Sequence, residues 1–403
     1  MAKRFSLLAA AGVLILWMIP QPAGAQDEVV IGIPLAITGI HAKFGEQHHN
    51  GYKLALEEIL AQGGIRNGVL KGKKLRFYFR DDEGNSARAK VVTEKLITRD
   101  KVPIIMGGYG SAEVFAIAVT TAQYGTPFLS PGGAADEITQ KGWKNVFRLN
   151  QPASEYCSGL QDFMLKFVNP TSMVLLFENT LFGPSTAKAM REWCKENNIK
   201  VLMFEPYEAH NVDFKPLMIR VEAFKPEVIF MVPYIIDAVL LTRQAAELGI
   251  DPKLFCGAAA GFVLPGYIAA LGKLGEAVMT AVLWSPDVKY PGAQEFYENF
   301  QNKFKLVPTY HAAEAYSAAY VLQDVLERTK SLSKEDLIKA LSETDMMTVF
   351  GPVKFANYKK FTNQNRVPSL VVQVINGKHE TIWPPEAAAA PYVYPQPKWK
   401  DKR

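Results

Sequence analysis

The sequence predicts an α/β protein built as two lobes, each a parallel sheet covered by helices on both faces. Three observations carry this. Short apolar runs alternate with segments of helical period from residue 29 to about residue 149. The same rhythm restarts after Asn150-Gln151-Pro152. A chain of 403 residues is also too long for one ordinary core. Strict strand-helix alternation is how parallel strands joined by crossover helices read in a sequence.

Residues 29–33 predict the first strand, and the loop 34–45 leads into a helix. That helix carries Tyr52, Ala55, Leu56, Ile59 and Leu60 at i, i+3, i+4, i+7 and i+8, and Gly63-Gly64 stops it. A strand over 75–79 is closed by Asp81-Asp82, and Asn85 can cap a helix that turns Ala89, Val92, Leu96 and Ile97 inward. The apolar run 102–106 predicts a buried strand, followed by Gly107, Gly108 and Gly110, which let the backbone turn sharply. Ser111 stands where a helix N-cap belongs, ahead of Val114, Ile117, Ala118 and Thr121. A strand over 127–130 ends in the loop Pro131-Gly132-Gly133-Ala134.

In the second run, a helix over 154–167 precedes a strand over 173–177, a helix over 183–197 and an extended stretch over 201–204. Asp213 can cap a helix over 214–224, with Pro216 tolerated in its first turn. A strand over 228–232, a helix ending at Gly249 and a strand over 254–256 lead to the small-residue loop 257–261. Beyond a strand over 278–283 come helices over 293–304 and 311–329 and a shorter one capped by Ser333. Residues 353–355 read as extended, and 369–375 with 379–383 read as a hairpin whose Asn376-Gly377 suits a type I′ turn. From Pro384 the chain is Ala/Pro-rich and ends basic, a surface-lying or loose tail.

Composition is that of a soluble globular protein, 48% hydrophobic and 21% charged, and a net charge of +5 is too weak to imply a nucleic-acid partner. Lys3-Arg4, the apolar run 5–19 and Ala23-Gly24-Ala25 form an export signal cleaved after Ala25, so the mature chain begins at Gln26 in the periplasm. No other stretch is long and apolar enough to cross a membrane. Cys157, Cys194 and Cys256 are scattered, without the paired spacing of a zinc or redox centre; a Cys157–Cys194 disulfide and two buried thiols remain equal alternatives. His48-His49 reads as a surface pair rather than a metal site, because neighbours on a helix face different ways. No G-x-S-x-G, H-E-x-x-H or Walker A pattern occurs, so the chain reads as neither an enzyme nor an ATPase, with no cofactor and no metal.

In an open parallel sheet, ligands bind outside the carboxyl ends of the strands. The glycine loops after 102–106 and 127–130 lie there, and the N–H groups of a helix start beside a hydroxyl suit an anion.

The residues resemble the periplasmic solute-binding proteins of branched-chain amino acid-type ABC transporters, the leucine-binding-protein-like family. The match runs through Ile31-Gly32, Thr38-Gly39, Ala42, Gly45, Gly51, Leu54-Ala55, Glu57-Glu58-Ile59 and Gly63-Gly64-Ile65. It continues through Asp81-Asp82, Asn85, Lys95-Leu96-Ile97, Pro127 and Ser130-Pro131-Gly132, and spans residues 29–383 in order and spacing. The resemblance implies a type I periplasmic binding fold, two Rossmann-like lobes joined by three crossovers and closing on a ligand by hinge motion. Lobe one is then 26–149 with 285–365, lobe two 150–284 with 366–385, and 386–403 the tail. It also implies a monomer that serves separate membrane permease and ATPase subunits; the same fold can instead report its ligand to a membrane receptor.

The resemblance further implies that Ser111 binds a ligand carboxylate, backbone groups of Gly132, Gly133 and Ala134 assist, Phe44 covers the ligand, and Phe182 and Tyr234 close over it. Tyr109 joins this set by its place in the loop, and His41 and Ala259 are further candidates. Members that hold an α-ammonium carry a threonine where Ala134 stands and an acid where Ala258-Ala259-Ala260 stands. An unpaired buried ammonium is costly, so the expected ligand is a small hydrophobic carboxylate, aromatic in preference to a branched-chain amino acid or amide.

Overall fold

The computed structural model describes residues 28–402; the export signal expected over 1–25 lies outside the described residues. The first run is β1 (Glu28–Leu35), α1 (Ala42–Ala61), β2 (Lys74–Asp81), α2 (Ser86–Thr98), β3 (Ile105–Met106), α3 (Ser111–Tyr124), β4 (Phe128–Ser130), α4 (Glu137–Gln140) and β5 (Val146–Arg148). The second run is α5 (Ser158–Phe163), β6 (Ser172–Glu178), α6 (Phe182–Glu196), β7 (Lys200–Tyr207), α7 (Lys215–Phe224), β8 (Val228–Val232), α8 (Ile235–Glu247), β9 (Leu254–Ala258), α9 (Pro265–Leu271) and β10 (Met279–Val282). The remainder comprises α10 (Ala293–Phe304), α11 (Tyr310–Arg328), α12 (Lys334–Ser342), β11 (Asp345–Thr348), β12 (Gly351–Lys354), β13 (Ala356–Tyr358), β14 (Phe361–Gln364), β15 (Leu370–Ile375) and β16 (Lys378–Trp383).

Two seven-stranded sheets result, ordered β13-β14-β5-β4-β3-β1-β2 and β16-β15-β10-β9-β8-β6-β7. The first five strands of each run are parallel, and a late antiparallel hairpin extends each edge, β14 beside β5 and β15 beside β10. The chain therefore passes between the sheets after β5, after β10 and after β14. The central strands are fully buried, as parallel strands covered on both faces must be: every residue of Val228–Val232 is buried, whereas the edge strands β2 and β7 are partly exposed.

Local chemistry explains most boundaries. The Asn85 side chain accepts the Arg88 N–H at 3.0 Å, and Ser333 accepts that of Asp336 at 3.2 Å, capping α2 and α12. Asn376 and Gly377 both hold positive φ, 52° and 70°, which the type I′ turn between β15 and β16 requires. A Cβ on Gly45 would lie 1.7 Å from the Ala36 carbonyl oxygen, so only glycine lets α1 start against the end of β1.

The structure corrects several expectations. Helix α1 begins at Ala42, so the loop ahead of it is shorter than 34–45 and Phe44 lies in the first helical turn. Ser111 is the first residue of α3, and Gly110, at φ 85°, occupies the N-cap. His48 is fully buried rather than on the surface, while His49 packs edge-on against Phe79. Strands β11, β13 and β14 were not legible: their short, polar, half-exposed residues form sheet only by pairing with distant partners. All three cysteines are buried free thiols. The tail is anchored, not loose: Trp399 is 1% exposed, its indole N–H bonds the Ile250 carbonyl at 2.6 Å, and its ring meets Phe255 edge-on.

Candidate functional site

The carboxyl ends of both sheets face one another across a cavity of about 310 Å³, its open mouth included. Its wall comprises Tyr109, Gly110, Ser111, Gly133, Ala134, Asn150, Tyr156, Phe182, Tyr234, Ala260, Tyr310 and His311.

The loop after β3 turns through Gly107, Gly108 and Gly110, all at positive φ, and delivers Tyr109 and Ser111 to the cavity. The Ser111 hydroxyl oxygen does not cap its own helix. It accepts the backbone N–H groups of Ala134 and Ala135, each at 3.1 Å, and so ties the β3 loop to the β4 loop. With both lone pairs engaged, its remaining valence is the O–H proton, a donor.

Beneath the β4 loop lies a cation that the sequence reading missed. Arg148, the last residue of β5, is fully buried, and its guanidinium donates to the carbonyls of Ala135 (2.6 Å) and Gly133 (3.3 Å), to Gln364 (2.6 Å) and to Thr139 (3.0 Å). Burial lowers its pKa to about 10, which still leaves it charged at neutral pH. Among the described residues no carboxylate lies within ion-pair distance of it. A fixed positive charge behind the loop and the α3 N-terminus beside it both favour an anion in the cavity.

From the other half, the Glu178 carboxylate accepts the Thr180 and Gly183 N–H groups at the start of α6, which sets Phe182 against the cavity. Ala259 and Ala260 sit at φ 33° and 38°, a strained conformation for alanine. This bend aims the Ala260 N–H at the Tyr310 hydroxyl, which also accepts the Tyr156 O–H at 2.6 Å.

Behind the wall, His48 Nε2 lies 2.9 Å from Glu314 Oε1, both fully buried. Burial drives the Glu314 pKa well up and the His48 pKa down to about 4, so burial favours the neutral form of each. His48 Nδ1–H donates to the Phe44 carbonyl at 3.1 Å, and Asn150 Nδ2 to Glu314 Oε2 at 3.0 Å.

At the mouth, His41 tilts over Tyr234 with ring centroids 4.5 Å apart, and His210 stacks on the same ring. Burial, reinforced by His210, lowers the His41 pKa to about 3. Asp82, Glu113 and Asp237 are raised to about 7, each chiefly by burial and further by neighbouring carboxylates.

Of the residues expected from the sequence, Tyr109, Ser111, Gly133, Ala134, Phe182 and Tyr234 line the cavity. Phe44 does not; it stacks behind Tyr109 at 4.6 Å and stiffens that ring. Gly132 faces inward, where a Cβ would sit 3.0 Å from the Gly108 carbonyl and 3.4 Å from His48 Nε2. His41 and Ala259 stand beside the wall rather than in it. Asn150, Tyr156, Tyr310 and His311 were missed. Asn150-Gln151-Pro152 was read as a lobe break and His311 as a helix start; only the fold brings them to the cavity.

A family model of periplasmic binding proteins matches residues 28–378. The chain belongs to that family. It is thus a periplasmic binding protein. The Leu/Ile/Val-binding protein homolog 7 of Brucella melitensis is 26% identical over 394 residues, covering 93% of this chain and 96% of the relative. Two solved binding proteins share the fold. LivJ of Streptococcus pneumoniae, in complex with isoleucine, aligns with TM-score 0.79 at 23% identity, over 91% of this chain and 99% of that one. A solute-binding protein of an ABC transporter from R. palustris, in complex with benzoate, aligns with TM-score 0.80 at 20% identity, over 91% and 97%. No helix among the described residues is long and apolar enough to cross a membrane.

Proposed function

We propose that this periplasmic binding protein captures a small hydrophobic carboxylate, aromatic in preference to a branched-chain amino acid, for an ABC importer. One observation carries the reading: no ionised side chain lines the cavity, whose polar wall is dominated by hydroxyl donors between aromatic faces. The Ser111 O–H and the α3 N-terminus, backed by Arg148, suit a carboxylate. Tyr109, Phe182 and Tyr234 offer flat faces to a ring. An α-ammonium would find Ala134 and Ala260 where it needs an acceptor and a negative charge, and burying it unpaired costs several kcal/mol.

Binding closes lobe one, residues 26–149 with 285–365, on lobe two, residues 150–284 with 366–385. The mature chain starts at Gln26, acts as a monomer and delivers its ligand to separate permease and ATPase subunits. A second reading, a branched-chain amino acid, is favoured by the isoleucine complex of LivJ and by the Leu/Ile/Val-binding relative. A thermal-shift screen of benzoates, aliphatic acids, amides and amino acids, followed by calorimetry, separates the two. Benzoates should give the largest shifts; leucine, isoleucine or valine shifting most, with benzoates silent, would overturn the proposal.

A further inference from the structure

The donors and acceptors of the cavity wall are not balanced. Ser111 and Tyr310 each have an oxygen already accepting two hydrogen bonds and so present a proton. Asn150 and His311 present the opposite. Asn150 is 4% exposed, and its amide N–H donates to Glu314 Oε2 at 3.0 Å. The Asn150 carbonyl oxygen, Oδ1, then remains as an acceptor, buried and without a partner among the described residues.

His311 is 1% exposed, and its Nδ1 lies 3.1 Å from the Thr309 hydroxyl. Gln47 decides which of them donates. Its Nε2 is committed to the Val307 carbonyl, and its Oε1 accepts the Thr309 N–H at 3.0 Å and faces the Thr309 hydroxyl at 3.4 Å. The Thr309 proton therefore goes to Gln47, and the Thr309 oxygen receives the His311 Nδ1–H. That leaves a lone pair on His311 Nε2, again buried and without a partner among the described residues. Burial beside His48 holds the imidazole neutral.

We infer that the guest of this cavity carries a neutral hydrogen-bond donor, a ring hydroxyl, away from its carboxylate, and that Asn150 and His311 read it. The inference rests on the carboxylate reading above and narrows its substrate class to hydroxylated aromatic acids. Two buried acceptors facing a C–H edge would both stay unsatisfied, a penalty that lets such a site reject the analogue lacking the hydroxyl. An ammonium could also donate, but it would bring a charge that no wall residue offsets.

The test is calorimetry with benzoate, 3- and 4-hydroxybenzoate, 3- and 4-methoxybenzoate and leucine on the full exported protein and on His311→Phe and Asn150→Leu. One hydroxybenzoate should bind at least ten-fold tighter than benzoate, and its methoxy counterpart no tighter than benzoate. In His311→Phe and in Asn150→Leu the ratio of hydroxybenzoate to benzoate affinity should collapse toward one, with folding checked separately by the melting transition. Equal affinities for benzoate and both hydroxybenzoates, or methoxybenzoate matching the preferred hydroxybenzoate, would overturn the inference and leave the carboxylate reading standing. A hydroxyl advantage that survives in both variants would overturn the assignment to these residues. Leucine binding with no aromatic acid binding would overturn the carboxylate reading itself. Should neither variant fold, the wild-type comparison of hydroxy, methoxy and unsubstituted acids still decides whether the cavity reads a ring hydroxyl.

Discussion

Replacing Ser111 by alanine removes one oxygen with two separate duties. Toward the protein, that oxygen accepts two buried N–H groups, from Ala134 and Ala135, each at 3.1 Å. Leaving a buried N–H unpaired costs about 1–3 kcal/mol, so the folded state should lose about 2–4 kcal/mol, allowing for partial relaxation of the loop. Toward the ligand, the same hydroxyl donates to a carboxylate, and a charge-assisted bond contributes about 1.5–3 kcal/mol. That corresponds to roughly ten- to a hundred-fold in affinity. Denaturant unfolding reads the first effect and calorimetry with benzoate the second. Benzamide is the control, because it keeps the shape and loses the charge. If alanine weakens benzoate by ten-fold or more and benzamide by much less, the hydroxyl engages the carboxylate. Equal losses for both ligands, or benzoate affinity within two-fold of wild type, would refute that assignment and leave Ser111 as a tie between two loops.

Arg148→Met should cost both stability and benzoate affinity, since Gly133, Ala135, Thr139 and Gln364 lose their shared donor. Affinity falling ten-fold or more for benzoate but little for benzamide identifies the charge as the cause. Asp237 has its pKa raised by burial to about 7, so the folded state holds a proton that the unfolded chain has released above pH 4. Its contribution is present below the unfolded pKa and is lost as pH rises through about 7, so Asp237→Asn should gain melting temperature on wild type between pH 5 and 8. A melting difference that does not change with pH would contradict this. Trp399→Ala should cost about 3–5 kcal/mol by denaturant unfolding, because a fully buried indole and its bond to Ile250 are lost. A loss below about 1 kcal/mol would mean that the tail is held elsewhere.

The sequence by itself determined the α/β class, the order of most elements and the loops that carry the cavity. Local signals suffice for these: the apolar run 228–232 is strand β8, Asn85 and Ser333 cap where their types predict, and Asn376-Gly377 turns where it should. Ser111 and Gly133 could be singled out because each sits in or beside a loop that follows a strand, where a parallel sheet places its ligands, whereas Tyr234 came from the family resemblance. Tertiary structure alone decided what each side chain does there. Ser111 looks like a helix cap until the β4 loop is folded against it. Arg148 looks like an ordinary strand end until four bonds to three other segments, 133–135, 139 and 364, enclose it as a buried cation. Asn150, Tyr310 and His311 reach the cavity from the first passage between the sheets and from the start of α11, separated by 160 residues or more of chain. Their roles depend on partners such as Glu314, which receives the Asn150 amide, and Gln47, which receives the Thr309 N–H, brought there by the fold rather than by neighbours in sequence. Hydrogen-bond direction and desolvation are properties of the packed interior, and no local pattern of residues encodes them.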